Sequence, residues 1–268
     1  MPFHKTPAII LNHKDFGESD KVITFFTYSL GKITSIAKGA KRSRKRFANQ
    51  LDLFSLVRPI LWEKQHSSLT RIDQCDLLQP FASIRKVPER FAYAAYFCEL
   101  VDAWVKDRDP HAELFHLLLW ALRMVDQGAS LAPLSVIFQL RLLTIVGYAP
   151  NFVACVNCNL WKGGQVSYSF NYEKGGIVCS ECAFDLPLKH RLSPGTAKLL
   201  SLAQKTPLAK LSRLHFSAQP LAESLPILEN FVHSLLGKEI KSYRFLSRAQ
   251  ECILLTAPSG KPKFPDGN

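Results

Sequence analysis

From Thr6 to Leu78 apolar and polar side chains alternate over short distances. The runs TPAIILNH, KVITFFTYS and ITSIA are rich in β-branched and aromatic residues, with GESD at one reversal and Leu30, Gly31 and Lys32 at the next. That is the composition and punctuation of strands joined by tight turns. LDLFSLVRPILW and LTRIDQCDLL continue the alternation. About four to five short strands with no long helical pattern between them predict a small, mostly antiparallel barrel or sheet.

From Val87 the period changes. Phe91, Ala94, Ala95, Cys98, Val101 and Val105 recur near helical spacing behind Pro88, which suits a first helical position. A second helix is expected from Ala112 to Val125, ending near Gly128, and a third from Pro133 to Val146, stopped by Gly147 and Pro150. Between Asn151 and Lys189 the pattern breaks into paired cysteines, paired glycines and short alternating pieces such as VSYSF. Helical signals resume at Ser193 and Pro194, an N-cap followed by a first-turn proline, and again near Leu221, with Gly237 as a stop. The last stretch, APSGKPKFPDGN, has the composition of a disordered tail.

Charge adds a partner to this outline. The 268 residues carry 34 Lys plus Arg against 22 Asp plus Glu, a formal net charge of +12. Residues 1–80 hold 13 of the basic and 7 of the acidic side chains, whereas residues 81–150 hold 7 of each. Six cations, Lys38, Lys41, Arg42, Arg44, Lys45 and Arg46, fall in the nine-residue run KGAKRSRKR, which has no acid. A solvated surface loop or a localisation signal accounts for such a run by itself. Its density and its place between two expected strands favour a polyanion, because each cation can neutralise a phosphate and release a counterion. In this layout the run is a loop lifted off the barrel.

The 47% hydrophobic content suffices for a sizeable core. The N-terminal apolar run is only four residues long and LLLWAL at 117–122 is too short to span a bilayer, so neither a secretory signal nor a membrane span is expected, and the chain should stay in the cytoplasm.

Cys155 and Cys158 form CVNC, and Cys179 and Cys182 form CSEC twenty residues later. Two such turns across a linker of this length match a four-thiolate zinc site; a redox pair, an iron–sulfur cluster and buried thiols are the alternatives. Four thiolates complete a tetrahedron and leave no place for water or substrate, so one Zn²⁺ here would be structural. Asn159 stands where many zinc knuckles carry Gly. Cys75, Cys98 and Cys252 lie on apolar stretches and read as small buried hydrophobes.

No Gly-Lys pair has the surroundings of a P-loop, and G-x-S-x-G and H-E-x-x-H are absent. Asp15, Glu18 and Asp20 are the carboxylates an enzyme could draw on, although for Glu18 and Asp20 in GESD a turn before a strand is the favoured reading.

The segment FGESDKVITFFTYSLGKITSIAKGAKRSRKR, then LDLFSLVRPILW, then LRLLTIVGYAPNFVACVNC with its second CSEC, resembles RecO, a family of bacterial recombination mediators. The resemblance implies an α+β multidomain fold: an N-terminal OB-fold β-barrel at 1–80, an α-helical domain at 81–150 and 192–250, an inserted four-cysteine zinc-ribbon-like segment at 151–191, and a tail at 251–268. It implies a protein without catalytic turnover that binds single- and double-stranded DNA, anneals complementary strands, and works with RecR and the single-stranded-DNA-binding protein to load RecA. Nucleoid association in the cytoplasm follows. The basic run matches the family's basic stretch, so Lys38, Lys41, Arg42, Arg44, Lys45 and Arg46 are the expected DNA contacts. Phe25, Phe26 and Tyr28 are candidate base-stacking aromatics, with core packing the favoured role for each. Two other classes compete: a zinc-containing nuclease or glycosylase using Asp15, Glu18 and Asp20, and an RNA-binding or transcription factor reading through its cysteine knuckles.

Overall fold

The computed structural model describes residues 3–43, 46–47, 50–63, 69–162, 167–183, 191–243 and 245–246. Strands β1 (Phe3–Lys5), β2 (Ala8–Phe16), β3 (Asp20–Thr27), β4 (Gly31–Ala37), β5 (Leu56–Trp62) and β6 (Thr70–Gln79) form one sheet in the order β1-β5-β2-β3-β4-β6, and β5 also pairs with β6. The last five therefore close on themselves. Every pairing is antiparallel except β4 with β6, the arrangement of an OB-type barrel.

Strand alternation sorts the side chains into two sets. Ile10, Ile23, Phe25, Ile33, Leu61 and Ile72 fill the barrel. Ile9, Leu11, Phe26, Phe54 and Leu56 face outward and join a second core shared with the helices. A bulge between Ile10 and Asn12 resets the alternation, so that Asn12, paired with Thr24, faces outward as well. β1 was not expected; it is three residues long and adds to the edge of β5.

The helices are α1 (Ala82–Lys86), α2 (Pro88–Trp104), α3 (Ala112–Asp126), α4 (Leu131–Ile145), α5 (Pro194–Lys205) and α6 (Ala218–Leu236). α4 starts two residues before Pro133 and α6 three before Leu221. Both prolines near these starts, Pro133 and Pro220, sit in first turns, where their missing N–H groups have no carbonyl to meet. Ser193 caps α5 by accepting the Thr196 N–H at 3.2 Å, and Gly237 ends α6 in the left-handed conformation. α1 escaped the periodicity because it is five residues long. Among the described residues no helix is long and apolar enough to cross a membrane. The expected tail at 251–268 lies outside the described residues.

Barrel and helices meet tightly. Phe26 and Tyr28 pack on Phe115 of α3, with ring centroids 5.8 and 5.6 Å apart. Lys32 on β4 reaches Asp102 at 3.2 Å and Asp107 at 3.6 Å, and its carbonyl accepts the Arg108 N–H at 3.0 Å. Beside it, Gly31 has φ +68°, and a Cβ there would collide with the backbone of Asp109. At the other end, the Glu99 carboxylate accepts the backbone N–H groups of Lys241 and Ser242 at 2.9 and 2.8 Å. Buried Glu229 on α6 accepts the Tyr243 hydroxyl at 2.8 Å.

Two substitutions test these joints. Gly31→Ala should lower unfolding free energy by more than about 2 kcal/mol, because backbone must move as well as a left-handed residue being imposed. Gly17→Ala, at φ +58° with open space around it, should cost only the left-handed term of about 1 kcal/mol; equal urea midpoints for the two variants would contradict the close approach. Burial pushes the Glu229 carboxyl from 4.5 up to about 7, against the opposing hydrogen bond from Tyr243. Between those values the folded chain keeps a proton that the unfolded chain has lost, so this group's contribution to stability falls as pH rises through the window. Glu229→Gln should therefore gain about 1–2 kcal/mol over the parent at pH 8 and little at pH 4.5, measured by urea unfolding at both.

Candidate nucleic-acid interface and metal centre

The basic run begins where β4 ends. Gly39, at φ +68°, turns the chain back over the β2–β3 hairpin. Its N–H donates to Asp20 Oδ1 at 2.8 Å, and the Lys41 N–H donates to the Ser19 carbonyl at 2.9 Å. Lys41 Nζ then meets Asp15 at 2.9 Å and the Gly17 carbonyl at 3.2 Å. Arg42 lies 3.4 Å from Glu18. The Arg46 guanidinium donates to the Lys38 carbonyl at 3.1 Å and lies over the Phe47 ring at 5.1 Å. Phe47 itself is buried with Leu51 in the barrel core.

The loop is therefore not lifted off the barrel; it is strapped to the hairpin tip. The strapping depends on ion pairs between residues about two dozen positions apart, which only the strand register brings together. Lys38, Lys41, Arg42 and Arg46 share this end of the molecule, and Arg44 and Lys45 lie outside the described residues.

The strap also explains the three carboxylates. The hydrogen bond from Lys41 holds Asp15 below the ordinary carboxylate range, and the Gly39 N–H does the same for Asp20. Asp15 and Asp20 thus act as ionised anchors for the loop, and Glu18 adds its contact with Arg42. A general acid would need its carboxyl shifted the other way.

The expected stacking aromatics separate. Phe25 and Phe26 are wholly buried, one inside the barrel and one against α3. Tyr28 is half-exposed and meets the rings of Phe115 and His116. The aromatic that sequence reading passed over is Phe16, the last residue of β2, which is 58% exposed at the tip of the β2–β3 hairpin.

The four paired cysteines converge in space. Their sulfurs all lie within 4.8 Å of one another, and those of Cys158 and Cys179 are 3.8 Å apart. A tetrahedral ion with metal–sulfur bonds of about 2.3 Å has sulfur–sulfur edges of about 3.8 Å, so the set can hold one metal ion. In the first knuckle the Cys155 N–H donates to the Leu160 carbonyl and the Asn159 N–H to the Cys155 carbonyl. Asn159 occupies the left-handed region at φ +58°, a conformation Asn tolerates better than most residues. The second knuckle is the end of β8 (Gly176–Cys179) and the short 3₁₀ turn Ser180–Cys182. Burial opposes thiolate formation at Cys155, but backbone N–H groups from Cys158, Cys179 and Asn157 outweigh it and lower its pKa to about 6.

β8 pairs with β7 (Tyr168–Asn171), which also pairs with β9 (Arg191–Leu192). Trp161 stacks on Tyr168 at 5.1 Å, and Phe170 packs edge-on against Phe231 of α6 at 5.3 Å. The cysteine segment consequently shares the helical core. By contrast, burial pushes the Cys75 thiol up to about 12 and the Cys98 thiol higher still. Both behave as inert buried side chains; Cys252 lies outside the described residues.

The family model described as recombination protein O, N terminal, matches residues 1–81, and the one described as recombination protein O, C terminal, matches residues 85–244. The chain belongs to the recombination protein O family. A DNA repair protein RecO of Syntrophus aciditrophicus is 35% identical over 250 residues, which cover 92% of this chain and 96% of the relative. Another, from Desulfosudis oleivorans, is 36% identical over 256 residues, covering 92% and 98%. A third, from Bacillus pumilus, is 29% identical over 261 residues, covering 96% and 98%. The chain is thus a member of a DNA repair protein family along most of its length. In this RecO-family chain the two candidate sites sit on different units: the basic strap on the barrel, the thiolate cluster on the helical side.

Cys155→Ser or Cys179→Ser should abolish stoichiometric metal in the purified protein and lower its melting temperature by several degrees, read by elemental analysis and calorimetry. Chelation of the parent should give the same lowering. A parent that keeps its full melting temperature after complete metal removal would contradict a structural ion.

Proposed function

We propose that this chain is a non-catalytic recombination mediator that binds single- and double-stranded DNA, anneals complementary strands and helps RecR load RecA onto strands covered by the single-stranded-DNA-binding protein. The observation that carries the reading is the basic run strapped across the tip of an OB-type barrel. Its six cations outnumber the three carboxylates that anchor it. Such a surface grips phosphate without reading bases, and contacts of this kind stay exchangeable. Annealing follows if two strands are held with their charge screened and their pairing edges free. RecR, RecA and the single-strand-binding protein enter through family membership.

The four thiolates would hold one structural Zn²⁺, whose closed tetrahedron stabilises the 151–191 segment and leaves no coordination site for chemistry. Within this reading residues 1–80 are the nucleic-acid-binding domain, 81–150 and 192–250 the helical domain, and the protein works in the bacterial cytoplasm at the nucleoid.

Mixing complementary fluorescent oligonucleotides with the protein should speed duplex formation and leave both strands intact; strand scission or abasic products would assign an enzyme instead. If all six loop cations meet phosphates, the log–log salt slope for single-stranded DNA should be about −4, from roughly −0.7 per contact. Arg42→Glu, Arg44→Glu and Arg46→Glu together should bring it to about −2 or weaker, with the fold unchanged by circular dichroism. An unaltered slope would move the DNA path elsewhere.

A further inference from the structure

We infer that Phe16 is a stacking platform for an unpaired base, at the end of a strand-binding track along the outer face of β2, β3 and β4. The inference rests on the DNA-binding reading above and adds to it a base contact.

Register sets out this face. Phe16 pairs with Asp20, Lys14 with Val22 and Asn12 with Thr24 across β2 and β3, while Val22 pairs with Ile36 and Thr24 with Thr34 across β3 and β4. Directly paired residues project to the same side of a sheet. These side chains therefore lie on the outer face, opposite Ile23, Phe25 and Ile33, which fill the barrel. Farther along the same face Phe26 and Lys32 are taken up by the helical domain. The open part runs from there to Phe16 at the hairpin tip.

Its chemistry suits single-stranded DNA. Val22 and Ile36 are half-buried apolar side chains, and Thr24 and Thr34 add hydroxyls beside them. Lys14 and Lys38 are exposed at its borders; neither is in direct salt-bridge contact among the described residues, although the charge of Lys38 is felt by Asp20. Phe16 is 58% exposed, and among the described residues no ring packs on it. Scattered exposed apolar residues need no explanation, but this one stands at the loop between the first two barrel strands. That loop and the outward face of the second and third strands form the nucleic-acid surface of OB barrels generally. A ring beside cations that track the backbone is the combination by which such surfaces hold unpaired bases without regard to sequence. Asp20, held ionised by Gly39 and Ser19, faces the same side and is occupied as the anchor of the strap.

The test compares binding of the full-length protein to a labelled thymidine oligonucleotide and to an abasic oligomer with the same number of phosphates. The parent should prefer the base-bearing strand by about tenfold. Phe16→Leu should lose most of that preference while keeping the salt slope, and Phe16→Trp should keep the preference and show Trp emission quenched by the base-bearing strand alone. Preference retained in Phe16→Leu, or equal quenching of the Trp variant by both strands, would overturn the stacking role and leave the loop reading standing. If Phe16→Leu fails to fold, the Trp quenching decides. Failure of the parent to bind either strand at low salt would overturn both readings together.

Discussion

Closure of the barrel depends on a short parallel ladder between β4 and β6, in which Ser35 pairs with Thr70 and Ile36 with Arg71. Behind it the buried hydroxyls of Ser35 and Thr70 meet each other, so neither is left without a partner in an apolar interior. Once the sheet is closed there is a single inside, and strand alternation assigns every other residue to it. What remains outward is then fixed in position: one stretch of β2–β4 toward the tip, another toward the helices. An open sheet of the same sequence would leave Ile23, Phe25 and Ile72 facing water and would give the basic run no rim to lie across.

The helical side is held together differently. The segment around the cysteine pairs is too small to enclose a core, but Phe152, Phe170 and Ile177 reach the core built by the helices. Packing against α6 positions β7 and β8, and the knuckles complete the segment by directing N–H groups at sulfur. Backbone N–H groups thus favour the thiolate at Cys155, whereas the hydrogen bond with Cys179 pushes the Cys182 thiol up to about 12. This is why a substitution in the cluster is expected to act on stability rather than on chemistry.

Much of this was legible in the chain. The β-branched runs, the Gly turns, the N-cap at Ser193 and the stop at Gly237 each name a local conformation, and those elements fall close to where they were expected. Two C-x-x-C turns announce a four-sulfur cluster because backbone geometry alone brings each pair together. The misses share a physical cause. β1 and β9 exist only through their partners, α1 is too short to show a period, and the strap over the hairpin depends on contacts between Asp15 and Lys41 and between Asp20 and Gly39. The same nonlocality hid Phe16: one phenylalanine before a glycine is unremarkable until the register places it, exposed, at the hairpin tip.

The strap has a kinetic consequence. Asp15 and Glu18 already occupy Lys41 and Arg42, so a phosphate arriving at either of these two cations competes with a resident carboxylate. Part of the attraction is thereby offset, and on departure the carboxylates return at once to their places. Such built-in competition shortens the lifetime of a contact with any polyanion more than it slows encounter, because a summed positive field is long-ranged whereas the displaced pairs are local. In the proposed DNA-binding role, such a surface would capture a strand quickly and release it quickly.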